Sequence, residues 1–321
     1  MQPDAPIATV IGASGFVGRY VCQVLAKRGW RLRGACRRPN EAGFIRPYGV
    51  VGQVEPVQAN VRDRDSLARA IQGAEAVVYS VGVLFNSGKN TFRTTQAEGP
   101  RLAAEVAKEA GVKRFVLISA IADPATGAEY AKTKAEGEAA VLEYFPDAVI
   151  LRPSVVFGPE DGFFNRFASM ARLSPAIPIV SGATKFQPVY VQDVAEAAAK
   201  AVVGEAAPGV YELGGPNVYT FRDLIRLTLS TVRRKRLIID LPVPIARIQG
   251  AVLKYLPEPP ITDDQVKLLG ADNVVSEGAK SFADLGIEPE APEGIIDSYL
   301  VRFRPRGQYD EMIEAAKSRQ S

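Results

Sequence analysis

Tyr130 and Lys134 stand four residues apart in the stretch "AEYAKTKAEGE". At that spacing two side chains share one helical face, so an ammonium can stand beside a phenol. A cation within about 4 to 6 Å lowers a phenol's ordinary pKa near 10 by roughly 1 to 3 units, toward useful acidity. Taken alone, the pair reads as a plain surface contact. What lifts it above that is an upstream pattern, "VIGASGFVG", which spaces Gly12, Gly15 and Gly18 around Ser14 and Phe16. Glycines at this spacing let a backbone turn tightly and approach a pyrophosphate, whose charge is favoured by the free N–H groups opening the next helix. Arg37 and Arg38 then occupy the place where sites preferring the unphosphorylated cofactor carry an acid. Two guanidinium groups there suit a ribose 2′-phosphate, so the cofactor expected is NADPH. Each charged hydrogen bond to that phosphate would contribute about 1.5 to 3 kcal/mol. Two solvated arginines at a strand end are the plainer alternative.

Such groups need strands to deliver them. Short apolar runs at 8–11, 32–36, 54–59, 76–81, 115–119 and 149–151 alternate with helical patterns. Strands alternating with helices predict an α/β fold, a doubly wound parallel sheet covered on both faces. Val17, Val21, Val24 and Leu25 recur at helical spacing and stop at Gly29; Leu102, Val106 and Ala110 do the same and stop at Gly111. Glycine after the last turn is the usual helix stop. In this frame Asn60 and Val61 fall beside an adenine, and "YSVG" brings Val81 and Gly82 to the ribose. Beyond Phe157 the alternation loosens, although "QPVYVQDVAEAAAKAVV" and "GVYELGG" still read as strand, helix, strand. The expected division is a nucleotide-binding domain over 1–157, completed by about 184–213. A smaller lobe and partner surface would take 158–183 and 214–301, with a charged tail over 302–321.

Composition narrows the chemistry. The 321 residues carry a net charge of +3, with 47% hydrophobic and 23% charged residues, an ordinary globular balance. No nucleic-acid recognition module is legible, so no nucleic acid is expected as partner. There is no histidine, which excludes a Ser-His-Asp triad and removes the commonest metal ligand, so no metal is expected. Cys22 and Cys36 lie in apolar patterned segments and read as small hydrophobes. No apolar run is long enough to span a bilayer. The first strand begins by Ile7, which points away from a cleaved leader and toward a bacterial chain on the cytoplasmic side.

"GASGFVG", "RFVLIS", "YAKTK", "LRPSVVFGPED" and "VYVQDVA" together resemble the extended and atypical short-chain dehydrogenases/reductases. The likeness runs over about the first 215 residues. More narrowly, "FGPEDGFFNRFASM", "QPVYVQDVA" and "DNVVSEG" resemble the nucleotide-binding accessory subunits of respiratory complex I. The family's proton relay adds a serine or threonine hydroxyl at the end of the fifth strand, and alignment of "RFVLISA" puts Ala120 there. Ser119 precedes it, and neighbouring strand residues face opposite ways. The resemblance therefore implies a ligand clamp with little or no turnover. It would be held by Gly12, Ser14, Gly15, Phe16, Gly18, Arg37, Arg38, Asn60, Val61, Val81, Gly82, Ser119, Tyr130 and Lys134, with Pro153 on the nicotinamide side. It implies other complex I subunits near the quinone site as partners, and a peripheral place on the cytoplasmic face of a bacterial inner membrane.

Two other functions are open to the same residues: an NADPH-dependent reductase, epimerase or dehydratase, and an NADP(H)-sensing regulator. In the second half a basic run, Arg233 to Arg236, precedes an apolar stripe of Ile245, Ile248, Val252 and Leu256. That stripe suits a core, a partner groove or a bilayer interface. "PEPPITDDQVKLLGADNVVSEG" reads as a proline-stiffened segment ordered by what it lies against.

Overall fold

The computed structural model describes residues 5–247, 262–307 and 309. Its centre is a seven-stranded parallel sheet formed by β1 (Ile7–Ile11), β2 (Arg31–Cys36), β3 (Val54–Gln58), β4 (Ala76–Tyr79), β5 (Arg114–Ile118), β6 (Val149–Pro153) and a returning strand, Gly209–Leu213. In space the order is Gly209–Leu213, β6, β5, β4, β1, β2, β3. The doubly wound parallel sheet expected from the alternation is thus the observed fold. Strand order reverses between β1 and β4, and such a switch point leaves a crevice beyond the carboxyl ends of the strands.

The pleat divides the strand residues between two cores. Ala76 and Val78 of β4 face α1 (Phe16–Lys27) and the alanine-rich helix Val191–Val203. Val77 and Tyr79 face the opposite core, with Leu67 of α2 (Arg64–Ile71), Ala103 and Ala107 of α3 (Glu98–Glu109), and Val141 of α4 (Glu129–Tyr144). Both helix stops fall where the glycines predict: Gly29 at φ +84° and Gly111 at φ +71°, left-handed positions a side chain would strain. Cys22 and Cys36 are buried free thiols. Burial pushes both above the ordinary thiol value, which leaves them unreactive.

A third core is built from aromatic residues. Phe157, Phe164, Phe221 and Tyr299 pack with Leu224 and Ile177, from the helices Phe164–Leu173, Phe221–Thr231 and Pro292–Leu300 and from strand Ala176–Ile179. Asp161 ties this core together: it accepts from the Tyr299 hydroxyl at 2.6 Å and from the backbone of Phe163 and Asn165. The segment after residue 261 holds a helix that its prolines obscure, Asp263–Leu268. Thr262 and Gln265 form a reciprocal capping box at its start, so the irregular reading of that stretch is corrected. Of the apolar stripe only Ile245 is among the described residues, and of the charged tail only 302–307 and 309.

Candidate functional site

β1 ends at the switch point, and Gly12 turns the chain there at φ +90°. A Cβ on Gly12 would stand 2.9 Å from Val81 Cγ2 and 3.0 Å from Ser80 Oγ, in the loop after β4. One on Gly18 would fall onto the Gly12 carbonyl group, 2.8 Å from its carbon. Only glycine permits this stacking of turn, helix and neighbouring strand. Gly15 caps α1 without a side-chain partner, and no acid occupies the first turn. The opening N–H groups and the positive dipole end of α1 therefore face the crevice uncompensated.

At the tip of β2, Arg37 and Arg38 are both exposed. Arg38 pairs with Glu41 at 3.2 Å, a surface contact of little worth. Asn60 and Val61 follow β3, as the alternation predicts. The Asn60 side-chain carbonyl accepts from Arg62 N at 3.1 Å, which shapes the loop, and Val61 packs on the core beneath.

Tyr130 and Lys134 occupy the first turns of α4. That helix has no cap of its own; the Asp264 carboxylate supplies one from far along the chain, accepting from Glu129 N at 2.6 Å and Tyr130 N at 3.1 Å. Gln96, buried in a π-helical turn (Arg93–Ala97), donates to Val83 O at 2.8 Å and accepts from Thr133 Oγ1 at 3.2 Å. It thereby ties the loop of Val81 and Gly82 to α4. A Cβ on Gly82 would lie 3.7 Å from Lys134 Nζ, so the structure brings Gly12, Val81, Gly82 and Lys134 into one row.

Electrostatics here run opposite to the expectation from spacing. Lys134 Nζ lies 5.8 Å from the Tyr130 ring centroid and donates to Ile118 O at 3.3 Å. Burial pushes the Tyr130 phenol up to about 12. It also pulls Lys134 down to about 8, with Glu138 acting in the other direction. Surroundings of low polarity disfavour both charged forms, and that outweighs the attraction between them. The predicted acid phenol is corrected to a neutral one.

Ser119, counted above among the cofactor contacts, gives its hydroxyl to Glu138, which Arg152 also holds through Nε at 3.0 Å. Its neighbour Ala120 faces the other way, into a cavity of about 480 Å³ that Tyr130 and Pro153 also line. The far wall is aromatic, with Phe163, Phe167, Phe186 and Phe221. Where a relay hydroxyl would stand, the cavity meets a methyl group.

Sequence reasoning missed Gln96, Asp264 and Glu138. Gln96 and Glu138 carried no local signal, since their partners lie 13 to 37 residues away. Asp264 sits in a "TDDQ" capping motif whose second use, in capping α4, spans 135 residues.

A family model for the NAD dependent epimerase/dehydratase family matches residues 8–214. Over 319 residues the chain is 33% identical to the Arabidopsis thaliana protein named NADH dehydrogenase (ubiquinone) 1 alpha subcomplex subunit 9, mitochondrial, covering 94% of this chain and 79% of that one. The Rattus norvegicus protein of the same name is 34% identical over 97% of this chain and 84% of its own. A ceramide reductase of Caulobacter vibrioides is 32% identical over 79% of each. Among solved structures, the Bordetella bronchiseptica enzyme WbmH in complex with NAD+ superposes with a TM-score of 0.69 at 17% identity, covering 94% of this chain and 99% of that one, a likeness of fold. The plant and rat relatives are mitochondrial by name, which corrects the expected place on a bacterial inner membrane. The reason is physical: the residues that build sheet, turn and cavity answer to packing and ligand chemistry, which do not differ between compartments.

Proposed function

The chain belongs to the NAD dependent epimerase/dehydratase family, and from that premise we propose that it is an accessory subunit of respiratory complex I that holds NADPH without turning it over. Likeness over nearly the whole chain to two proteins named as subunits of that NADH dehydrogenase supports the assembly. The partners are then other complex I subunits, at the junction of the peripheral and membrane arms near the quinone site. Within the site, Gly12, Gly15 and Gly18 with Ser14 and Phe16 would take the pyrophosphate on the opening of α1. Arg37 and Arg38 would take the 2′-phosphate, with Arg38 exchanging its exposed partner Glu41 for a doubly charged one. Asn60 and Val61 would border the adenine; Val81, Gly82, Tyr130 and Lys134 the ribose; Ser119 backbone and Pro153 the nicotinamide.

One observation carries the reading of a clamp without turnover. Gly82 and Lys134 stay within reach of one another at the crevice, whereas the cavity meets the Ala120 methyl where a hydroxyl donor is needed. A neutral phenol with a pKa pushed up to about 12 is likewise a poor proton donor at neutral pH. The test is to denature the purified protein and identify what it releases. About one NADPH per chain is expected; an empty protein or one releasing NAD would reject the reading.

The second reading, an NADPH-dependent reductase, draws support from the Caulobacter vibrioides ceramide reductase. It predicts a carbonyl-dependent oxidation of NADPH that Tyr130→Phe abolishes while the nucleotide stays bound. Silence across carbonyl substrates would count against it.

A further inference from the structure

The cavity beside Tyr130 has a wall chemistry that a nucleotide site does not explain. Eight polar or charged side chains line it, and six of these are spent on the protein itself. Asp123 caps a turn at Ala125 N, and Thr126 returns to Asp123 O. Ser154 and Asn273 bond each other, Asp272 accepts from Lys185 N, and Gln265 closes its capping box. Two are left without a hydrogen-bond or ion-pair partner among the described residues: the Tyr130 hydroxyl and the guanidinium of Arg166. Arg166 rises from the helix Phe164–Leu173 between Phe163, Phe167 and Met170. Arg166 is itself exposed to solvent, so its guanidinium stands at the rim of the cavity. A guanidinium with no carboxylate bonded to it, standing at the edge of an apolar space, can pair with an anionic group through charge-assisted hydrogen bonds.

We propose that this cavity binds an amphiphile with one oxyanionic head, a carboxylate or phosphate monoester, paired to Arg166, and one apolar chain laid against the surrounding aromatic wall. A sugar or sugar nucleotide fits badly, since each of its hydroxyls needs a partner, whereas the wall is mostly apolar and most of its polar side chains are already bonded within the protein. A single hydrocarbon chain needs none and fills an apolar cavity of this size class. The cavity shares Tyr130 and Pro153 with the proposed nucleotide site but not the glycine turn, and the assignment of its head group to Arg166 does not rest on which nucleotide is held.

The test uses the full chain and four probes: dodecyl phosphate, dodecanoate, dodecanol and inorganic phosphate, followed by calorimetry. Both anionic amphiphiles are expected to saturate one site per chain, about tenfold or more tighter than the alcohol, as a charged hydrogen bond implies. Inorganic phosphate, lacking the chain, should not compete. Arg166→Gln keeps the length and loses the charge, so it should bring both anions down to the affinity of the alcohol while nucleotide content stays as before. Met170→Trp, which fills the space, should abolish binding of all three amphiphiles with a cooperative melt retained. The tighter of the two anions identifies the head group as phosphate or carboxylate. The proposal is overturned by absence of saturable binding, by equal affinity for anion and alcohol, by indifference to Arg166→Gln, or by saturable binding that survives Met170→Trp. Nucleotide release from the same samples reports separately on the NADPH reading.

Discussion

At the glycine turn a single added methyl on Gly18 meets the carbonyl of Gly12; beside Tyr130, by contrast, the protein leaves about 480 Å³ open against aromatic side chains. The first region is specified by backbone meeting backbone, where nothing can move aside. The second is specified by side chains with room to turn. The difference teaches where this molecule is intolerant: the turn couples β1, α1 and the loop after β4, so a change there propagates into the sheet. A change at the cavity wall alters what fits, with less effect on folding.

Gly18→Val is the harshest way to test that contrast. The added atoms overlap backbone, which costs about 3 kcal/mol where repacking is impossible, and nucleotide retention should be lost with it. Chemical denaturation together with nucleotide release reads both, and a variant as stable as the parent would erase the distinction between the regions.

Lys134 lies where the two regions meet, and its titration sharpens the comparison. Burial lowers it from an ordinary 10.5 to about 8 in the folded state. Between those values the unfolded chain binds a proton that the folded chain does not, so stability rises as pH climbs through that window. As pH falls through about 8 the gain is lost and the cost of a buried charge is fully felt. Tyr130, pushed up to about 12, stays neutral throughout the window. In nucleotide-free protein the rise should be on the order of 3 kcal/mol. Lys134→Met should remove it, and an unchanged pH profile in that variant would show that the lysine is not buried as described.

The smallest expected effect concerns Asp264, which belongs to the segment walling the cavity yet caps the helix of the nucleotide side. Asp264→Ala should cost about 1 kcal/mol, the usual worth of a cap. It should also loosen amide-exchange protection at Glu129 and Tyr130 ahead of the rest of α4. Loss spread evenly over the protein would mean that the two regions are not joined at this point.

Much of the first region could be read in the sequence. The strand positions follow from apolar runs, Gly29 and Gly111 stop their helices, and the glycine triplet falls between β1 and α1. Each of these signals is local, carried by residues within one or two turns of each other. The second region was legible only in part. Its aromatic residues in "FGPEDGFFNRFASM" lie in one helix and the turn before it, but the opposite wall comes from residues about a hundred positions on, and no periodicity relates them. The capping box of Thr262 and Gln265 was present as "TDDQ" and hidden by the prolines before it.

The sequence by itself determined the doubly wound sheet, the turn at its switch point and the shared helical face of Tyr130 and Lys134, because repeats of two and three to four residues dictate which side chains face one way. Tertiary structure decided how those groups behave. It turned Ser119 toward Glu138 and left Ala120 in the cavity, set Arg166 at the cavity rim, and made burial outweigh the attraction between phenol and ammonium. Spacing fixes distance along a helix, whereas the polarity around a charge depends on segments that come near only when the chain has folded.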